Sequence, residues 1–259
     1  MEIATFNVNS IRARMDLLER WLKEKRAVDL LALQEIKCTE ENFPFERFER
    51  LGYDCAVFGQ KGYNGVAICS KYPLYDIKKG FADSLFDNQK RVIAAKAGDY
   101  RIINVYAPHG DLEGEKLIYK LRFFSKLKSY IVENFSLKEK LIVVGDMNVA
   151  RDDMDVWDPV LLKGSIGFMD EEREAFEDFV SIGLVDTYRE LRPNEPGFTW
   201  WDYKNGAIWR NQGMRIDYIL TSPNAFERCE DIDVDLWTRK RRSPTPSDHA
   251  PVVAHFRDE

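Results

Sequence analysis

The chain has 259 residues, of which 44% are hydrophobic and 13% aromatic, with 38 Lys+Arg against 44 Asp+Glu and a net charge of −6. That composition is globular rather than disordered or fibrous, and its acidic balance argues against a protein that holds nucleic acid by bulk positive charge while leaving open a nucleic-acid enzyme with a local basic rim. No apolar run approaches the ~20 residues of a membrane span, and Met1-Glu2 leads at once into a strand-like segment with no signal-peptide pattern, so no membrane association is expected and the expected location is the cytoplasm.

In chain order, Ile3-Ala4-Thr5-Phe6 reads as a short buried strand, and Asn9 or Ser10 is positioned to cap a helix carrying Ile11, Met15, Leu18 and Leu22 on one face. Leu30–Leu33 is a second buried strand running into Gln34-Glu35, and strand-like pieces follow at Tyr53–Phe58, Val66–Cys69, Val92–Lys96 and Ile102–Tyr106. Residues 113–133 carry Leu117, Leu121, Phe124, Leu127 and Ile131 in one stripe, the clearest amphipathic helix of the chain. Leu141–Val144 is a further buried strand stopping at Gly145-Asp146. A helix over 171–182 precedes strands near Phe198–Trp201, Arg215–Leu220, Asp233–Leu236 and Pro251–Phe256. Strands outnumber helices and the pattern around 100–106 suits antiparallel pairing, so the expected fold is α/β with two packed mixed sheets and helices outside. No linker, repeat or low-complexity tract divides the chain, and residues 1–259 are expected to form a single domain. Cys38, Cys55, Cys69 and Cys229 are scattered without a C-x-x-C pair, which predicts free thiols. The 3 histidines share no helix face, which argues against a His-rich zinc centre.

Polar groups collect where the apolar strands end. Asn7-Val8-Asn9, Gln34-Glu35, Tyr106 and Asp146-Met147-Asn148 follow strands, Asp217 lies in one, and Ser247-Asp248-His249 precedes one. Taken singly, Glu35 or Asp146 reads as a loop cap or a solvated turn. Asp217 differs because Ile216, Tyr218, Ile219 and Leu220 surround it. A carboxylate in an apolar strand costs several kcal/mol unless partnered, and His249 is the expected partner.

These residues fall in eight motifs: F-N-V-N-S-I-R-A-R at 6–14, L-Q-E-I-K at 33–37, G-Y-N-G-V-A at 62–67, N-V-Y-A-P at 104–108, G-D-M-N-V-A at 145–150, G-F-T-W-W-D-Y at 197–203, R-I-D-Y-I-L at 215–220 and S-D-H-A-P-V at 247–252. In this order they make the chain resemble the exonuclease III family of abasic-site endonucleases, within the deoxyribonuclease I-like superfamily. The resemblance implies a four-layer α/β sandwich and hydrolysis of the phosphodiester 5′ to an abasic site, with 3′-end trimming and 3′→5′ exonuclease action on double-stranded DNA, by a monomer. It implies Mg²⁺ or Mn²⁺ at Glu35, with Asn9, Asp248, Asp146 and Asn148 around it. Asp146 would orient or deprotonate the attacking water, assisted by Asn148; Asn7 would lie beside the phosphate; His249, held by Asp217, and Tyr106 would contact phosphate oxygens or the leaving group. Such a set supplies charge neutralisation, a positioned base and oriented donors.

For DNA contact the resemblance points to Arg12, Arg14, Lys37 and Tyr63. The basic run Arg239-Lys240-Arg241-Arg242, with Arg241 singled out, reads equally as a solvated face. Phe198, Trp200, Trp201 and Met214 are candidates for a pocket wall around an extruded sugar, Trp200 and Met214 ahead of a core Trp201. His109 reads as a DNA contact or a solvated loop residue, and His255 as structural. Two other readings stay open: the same fold acting on an inositol phosphate, a sphingolipid head group or a messenger-RNA tail, and a DNA-binding module without catalysis.

Overall fold

Strands that are for the most part buried on both faces build two sheets that pack against each other and against outer helices. The computed structural model describes residues 1–257. Its strands are β1 (Glu2–Asn7), β2 (Leu30–Gln34), β3 (Asp54–Phe58), β4 (Val66–Ser70), β5 (Leu74–Lys79), β6 (Val92–Ala97), β7 (Tyr100–Tyr106), β8 (Lys140–Asp146), β9 (Val185–Asp186), β10 (Asp217–Thr221), β11 (Cys229–Val234) and β12 (Val252–Phe256). The helices are α1 (Ile11–Glu24), α2 (Phe45–Glu49), α3 (Ser84–Asp87), α4 (Glu115–Asn134), α5 (Asp170–Val180), α6 (Thr187–Leu191) and α7 (Pro223–Phe226). One six-stranded sheet has the order β11-β12-β1-β2-β4-β3, the other β5-β6-β7-β8-β10-β9.

The period of two along each strand explains the layers. Ile3, Ile102, Ile142 and Val144 point into the core shared by the sheets. Their neighbours Ala4 and Phe6 pack outward under α1, and Ile103, Leu141 and Val143 pack outward under α4 and α5. This is the expected four-layer α/β sandwich. Asn104 ties the sheets together beneath the site: its Nδ2 donates to Leu33 O at 2.9 Å and Ala67 O at 2.8 Å, and its Oδ1 accepts from Gln34 Nε2 at 2.7 Å.

Most sequence expectations shift by a residue or two, and four need correction. Phe198–Trp201 is not a strand; Trp200 instead makes isolated bridges to Met214 and His249. The edge strand β5 escapes notice because it is largely exposed and lacks apolar alternation. Neither Asn9 nor Ser10 caps α1 through its side chain; backbone N–H groups of Ser10 and Ile11 donate instead to Glu35 O at 2.7 Å and Ile36 O at 3.1 Å. Finally, Cys55 and Cys69 are joined by a disulfide, whereas Cys38 and Cys229 are free thiols. The two cysteines face each other in the β3–β4 register with Cα atoms 4.1 Å apart, a proximity that scattered spacing in the sequence conceals. Among the described residues no helix is long and apolar enough to cross a membrane.

Candidate active site

Two parallel pairs set the location of the site. β1 pairs with β2 through the α1 crossover and β7 with β8 through α4, and the registers place Asn7 opposite Gln34 and Tyr106 opposite Asp146. Antiparallel β10 then brings its first residue, Asp217, opposite Asp146. Carboxyl ends of parallel strands are where open α/β folds bind ligands, and here both sheets deliver them to one end. Gly145 makes this register possible, because a Cβ there would sit 1.8 Å from Val105 O and its φ is +141°. Asn9, Glu35 and Asn148 follow in left-handed backbone, at φ 43°, 48° and 53°, conformations that cost of order 1–3 kcal/mol each and concentrate at functional sites.

The side chains form one connected network. Asn7 Nδ2 donates to Glu35 Oε1 at 2.9 Å and to Asp146 Oδ2 at 2.8 Å. The backbone N–H of Asn148 donates to Asp146 Oδ1 at 2.9 Å, and its Nδ2 donates to Ala107 O at 2.9 Å. Asn9 Nδ2 reaches Asp248 Oδ1 at 3.0 Å, and Trp200 Nε1 donates to Asp248 Oδ2 at 3.1 Å. His249 Nδ1 lies 2.8 Å from Asp217 Oδ2, so Nδ1 carries the proton and Nε2 faces Asp146 Oδ2 at 3.8 Å. Thr199 Oγ1 donates to the same Asp217 Oδ2 at 2.6 Å and accepts from the Ile216 and Asp217 N–H groups at 3.1 Å each.

Burial and neighbours separate the charges. Burial raises the Asp146 carboxyl, with Asp217 and Glu35 adding to the rise and His249 opposing it. Burial alone would lower His249, but Asp217 and Asp146 outweigh it and hold the imidazole above its ordinary value. For Glu35, burial is overcome by hydrogen bonds from Asn7 and Lys37, which keep it below the usual carboxylate value. Burial, then Glu35 and Asp146, push the Tyr106 phenol well up, so it stays protonated as a donor.

A small pocket of about 190 Å³ opens on this network, lined by the polar Glu35, Tyr106, Asn148, Asp248 and His249 together with Ile166, Gly167, Trp200, Met214 and Ile216. Trp201 is core, as expected; Phe198 also packs in the core with Ile208 and Ala250, not in the wall. His109 borders the pocket and a larger cavity of about 760 Å³ beside it. Lys37 Nζ lies in the site, 2.8 Å from Glu35 Oε2 and 2.6 Å from Asn9 Oδ1. Arg12 is exposed in the first turn of α1, and the loop bearing the exposed Tyr63 packs on Lys37 through Lys37 N to Asn64 O at 2.9 Å. Arg14 donates to Tyr203 OH at 3.2 Å. Arg241 is not brought to the pocket; it stacks 3.9 Å over Trp237, while the buried Arg239 braces Asp248 O and Trp201 O. His255 is held by Glu2 and Glu230 at the far strand.

Three contributors were missed in the sequence. Thr199 lies inside the 197–203 motif but carries no charge to mark it. Arg91, 4.7 Å over the Tyr106 ring, belongs to no motif. Lys120 sits three residues after Leu117 and four before Phe124, a charge within the apolar stripe of α4, and that placement was the available signal.

The donor set fits a cation. Glu35 and Asp146 bring carboxylate oxygens together, within 4.8 Å of each other and of a His249 ring nitrogen. Asp248 and the asparagine amides add further oxygen donors, the chemistry of a hard divalent ion. An ammonium already lies between Glu35 and Asn9, so these oxygens do attract positive charge.

The sequence pattern of the Endonuclease/Exonuclease/phosphatase family matches residues 4–249. The chain belongs to that family. Exodeoxyribonuclease III of Haemophilus influenzae is 36% identical over 273 residues, an alignment spanning 99% of this chain and 100% of that one. An AP endonuclease from Archaeoglobus fulgidus has the same fold at a TM-score of 0.95 and 38% identity, with 100% of each chain covered. A 3′ phosphatase from Neisseria bound to product DNA hairpin matches at a TM-score of 0.93 and 37% identity, again over 100% of both chains. The family resemblance drawn from the motifs holds, and this member is a hydrolase.

Proposed function

We propose that this endonuclease/exonuclease/phosphatase family member hydrolyses the phosphodiester 5′ to an abasic site in double-stranded DNA, leaving a 3′-hydroxyl and a 5′-deoxyribose phosphate, and that it also trims 3′ ends and degrades duplex ends 3′→5′. One observation carries this reading: the hydrolytic network opens directly on a 190 Å³ pocket walled by Trp200, Met214 and Ile216, small enough for an extruded sugar that lacks its base. Asp146, aimed by Asn7 and by the Asn148 N–H, takes the proton of the attacking water. The new P–O bond forms in line as the bond to the 3′ oxygen breaks, with inversion and no covalent intermediate. Imidazolium His249, held by Asp217, and phenolic Tyr106 donate to phosphate oxygens or to the departing 3′ oxygen. Glu35, Asn9 and Asp248, with Asp146 and Asn148 adjacent, would hold Mg²⁺ or Mn²⁺, which supplies charge neutralisation at the phosphate when bound. Every group comes from one chain, which favours a monomer as the acting species, and the proposed location is the cytoplasm.

The test is cleavage of a duplex bearing one tetrahydrofuran abasic analogue, beside undamaged duplex, with Mg²⁺ and with EDTA. A Mg²⁺-dependent cut leaving a 3′-hydroxyl is expected, since the analogue does not undergo β-elimination; laddering of undamaged strand reports exonuclease action. No cut in either duplex would discard the reading and turn attention to soluble phosphate esters. Glu35→Ala is expected to raise the Mg²⁺ concentration needed for half-maximal rate, and an unchanged titration refutes its ligand role. Arg12→Ala should lower the slope of log affinity against log salt by about one unit, as loss of one phosphate contact does. The same fall for Arg241→Ala would extend the DNA track to residues 239–242, whereas no change confines it to the Arg12–Lys37–Tyr63 side.

A further inference from the structure

Beside the site, outside every motif that defined it, α4 and α5 meet in an ion pair with no exposure to solvent. Lys120 and Glu172 are each 0% exposed, and Lys120 Nζ lies 2.5 Å from Glu172 Oε1. The ammonium has three protons, and each has an acceptor: beyond Glu172, Nζ donates to Asn148 O at 2.8 Å and to His109 O at 3.0 Å. The second carboxylate oxygen of Glu172 accepts from Gly167 N at 2.6 Å and Met169 N at 3.2 Å.

Three loops therefore end on one ion pair. The first carries Asn148, whose backbone N–H holds Asp146 Oδ1; Lys120 takes the carbonyl of that same residue. The second is the His109-Gly110 turn after Tyr106. Gly110 has φ +83°, and a Cβ on it would lie 2.9 Å from Lys120 Cδ, so the turn rests directly on the lysine stem. The third carries Gly167, which lines the same pocket as Glu35. A buried ion pair often contributes little net stability compared with apolar residues of the same volume. Two helix faces already filled with phenylalanines, with Phe124 against Phe176 and Phe179, have no packing need for one.

We propose that the Lys120–Glu172 pair is a positioning device for the hydrolytic centre, fixing the Asn148 backbone and the two flanking loops in one geometry. This rests on the function proposed above and adds to it two residues that touch neither substrate nor metal. Lys120 acts through Asn148: with both backbone ends of that residue held, the left-handed conformation that presents its side chain is the only one available, and Asp146 keeps its donor. The consequence is a specific split. Loss of the pair slows the chemical step of the folded enzyme and leaves its DNA binding largely intact, because geometric misplacement of about 1 Å costs up to ~10²-fold in rate.

The experiment compares the parent with Lys120→Met/Glu172→Leu, which replaces the pair by apolar residues of similar volume, and with Lys120→Met/Glu172→Gln, which removes both charges and keeps an oxygen for the Gly167 and Met169 N–H groups. Three quantities are read: the single-turnover cleavage rate on abasic duplex with Mg²⁺, the Kd for that duplex in EDTA, and the NMR signal of the Asn148 carboxamide, assigned by its loss in Asn148→Asp. For Lys120→Met/Glu172→Leu we expect a rate about 10–100-fold lower, a Kd within about threefold of the parent, a shifted or broadened carboxamide signal, and a lowered thermal midpoint, because the Asn148 and His109 carbonyls and the Gly167 and Met169 N–H groups lose their partners; rate and Kd are therefore read well below that midpoint. Lys120→Met/Glu172→Gln should show a smaller loss of thermal midpoint with the same kind of rate and signal change, and it decides the matter if the first variant fails to fold. A folded variant that cuts at the parent's rate, or one that slows while the carboxamide signal is unmoved, overturns the proposal. Should the parent itself leave abasic duplex uncut, the functional reading fails, and the carboxamide signal still decides whether the pair positions Asn148.

Discussion

Asp146→Asn is expected to lower the single-turnover rate on abasic duplex by about 10²–10⁴-fold, the range lost when a general base is removed, while binding of that duplex changes only a few-fold. The variant keeps the volume of the side chain and removes its capacity to take a proton. Its effect on the fold has a predictable sign. Burial raises the Asp146 carboxyl above its ordinary value, so between that value and the raised one the folded chain holds a proton that the unfolded chain has released. Stability from this group therefore declines as pH climbs through that window, and at neutral pH the ionised carboxylate is a cost that an amide does not carry. Against this, both neighbours that aim Asp146 are donors, Asn7 Nδ2 and the Asn148 N–H. An amide oxygen serves only one of them, leaving the other facing a donor at about 1–3 kcal/mol. The two effects oppose, so the thermal midpoint should stay close to the parent's. Rate, Kd and thermal midpoint together separate the outcomes: a persistent rate within about tenfold of the parent removes Asp146 as the base, and a joint loss of binding and midpoint assigns it to the fold.

Which parts of this site could be read from the sequence follows from how each part is encoded. Strand ends are local: a buried apolar run followed by a polar residue marks Asn7, Glu35, Tyr106 and Asp146 one at a time, and the order of motifs assembles them. The pairing of Asp217 with His249 was also legible, because an aspartate flanked by Ile216 and Tyr218 demands a partner and few histidines exist to supply one. What the sequence concealed depends on register or on contacts between distant helices. The Cys55–Cys69 disulfide exists because β3 and β4 pair with those residues opposite, and no spacing rule reports register. Phe198 and Trp200 are two residues apart on an irregular segment, yet one is core and the other wall, since isolated bridges to Met214 and His249 turn the segment. Glu172 looked like an ordinary first-turn acid of α5. Its role emerges only when α4 lays Lys120 against it, 52 residues earlier in the chain.

Asp217→Asn is expected to cost about 10²-fold or more in rate and, unlike Asp146→Asn, to move the pH profile. His249 is held above its ordinary value against the opposing pull of burial, and Asp217 is the largest of the groups that hold it there. With an amide at 217 the burial remains and that support is gone, so the imidazole loses its proton at lower pH. If the imidazolium donates to the phosphate, the high-pH limb of the rate profile must shift downward in the variant, and the rate deficit must be smallest on the acid side. The arrangement of Thr199 sharpens the test. Its hydroxyl donates to the Asp217 oxygen that also faces His249 Nδ1, so it withdraws some of the charge that would hold the imidazole proton while fixing where that oxygen lies. Thr199→Val should therefore lower the rate through geometry and leave the high-pH limb in place or slightly raised, whereas Asp217→Asn lowers both. Imidazole NMR titration of His249 in the three proteins checks the order directly. A high-pH limb that stays put in Asp217→Asn, with the rate lost, would mean that His249 serves by its shape and tautomer rather than by its charge.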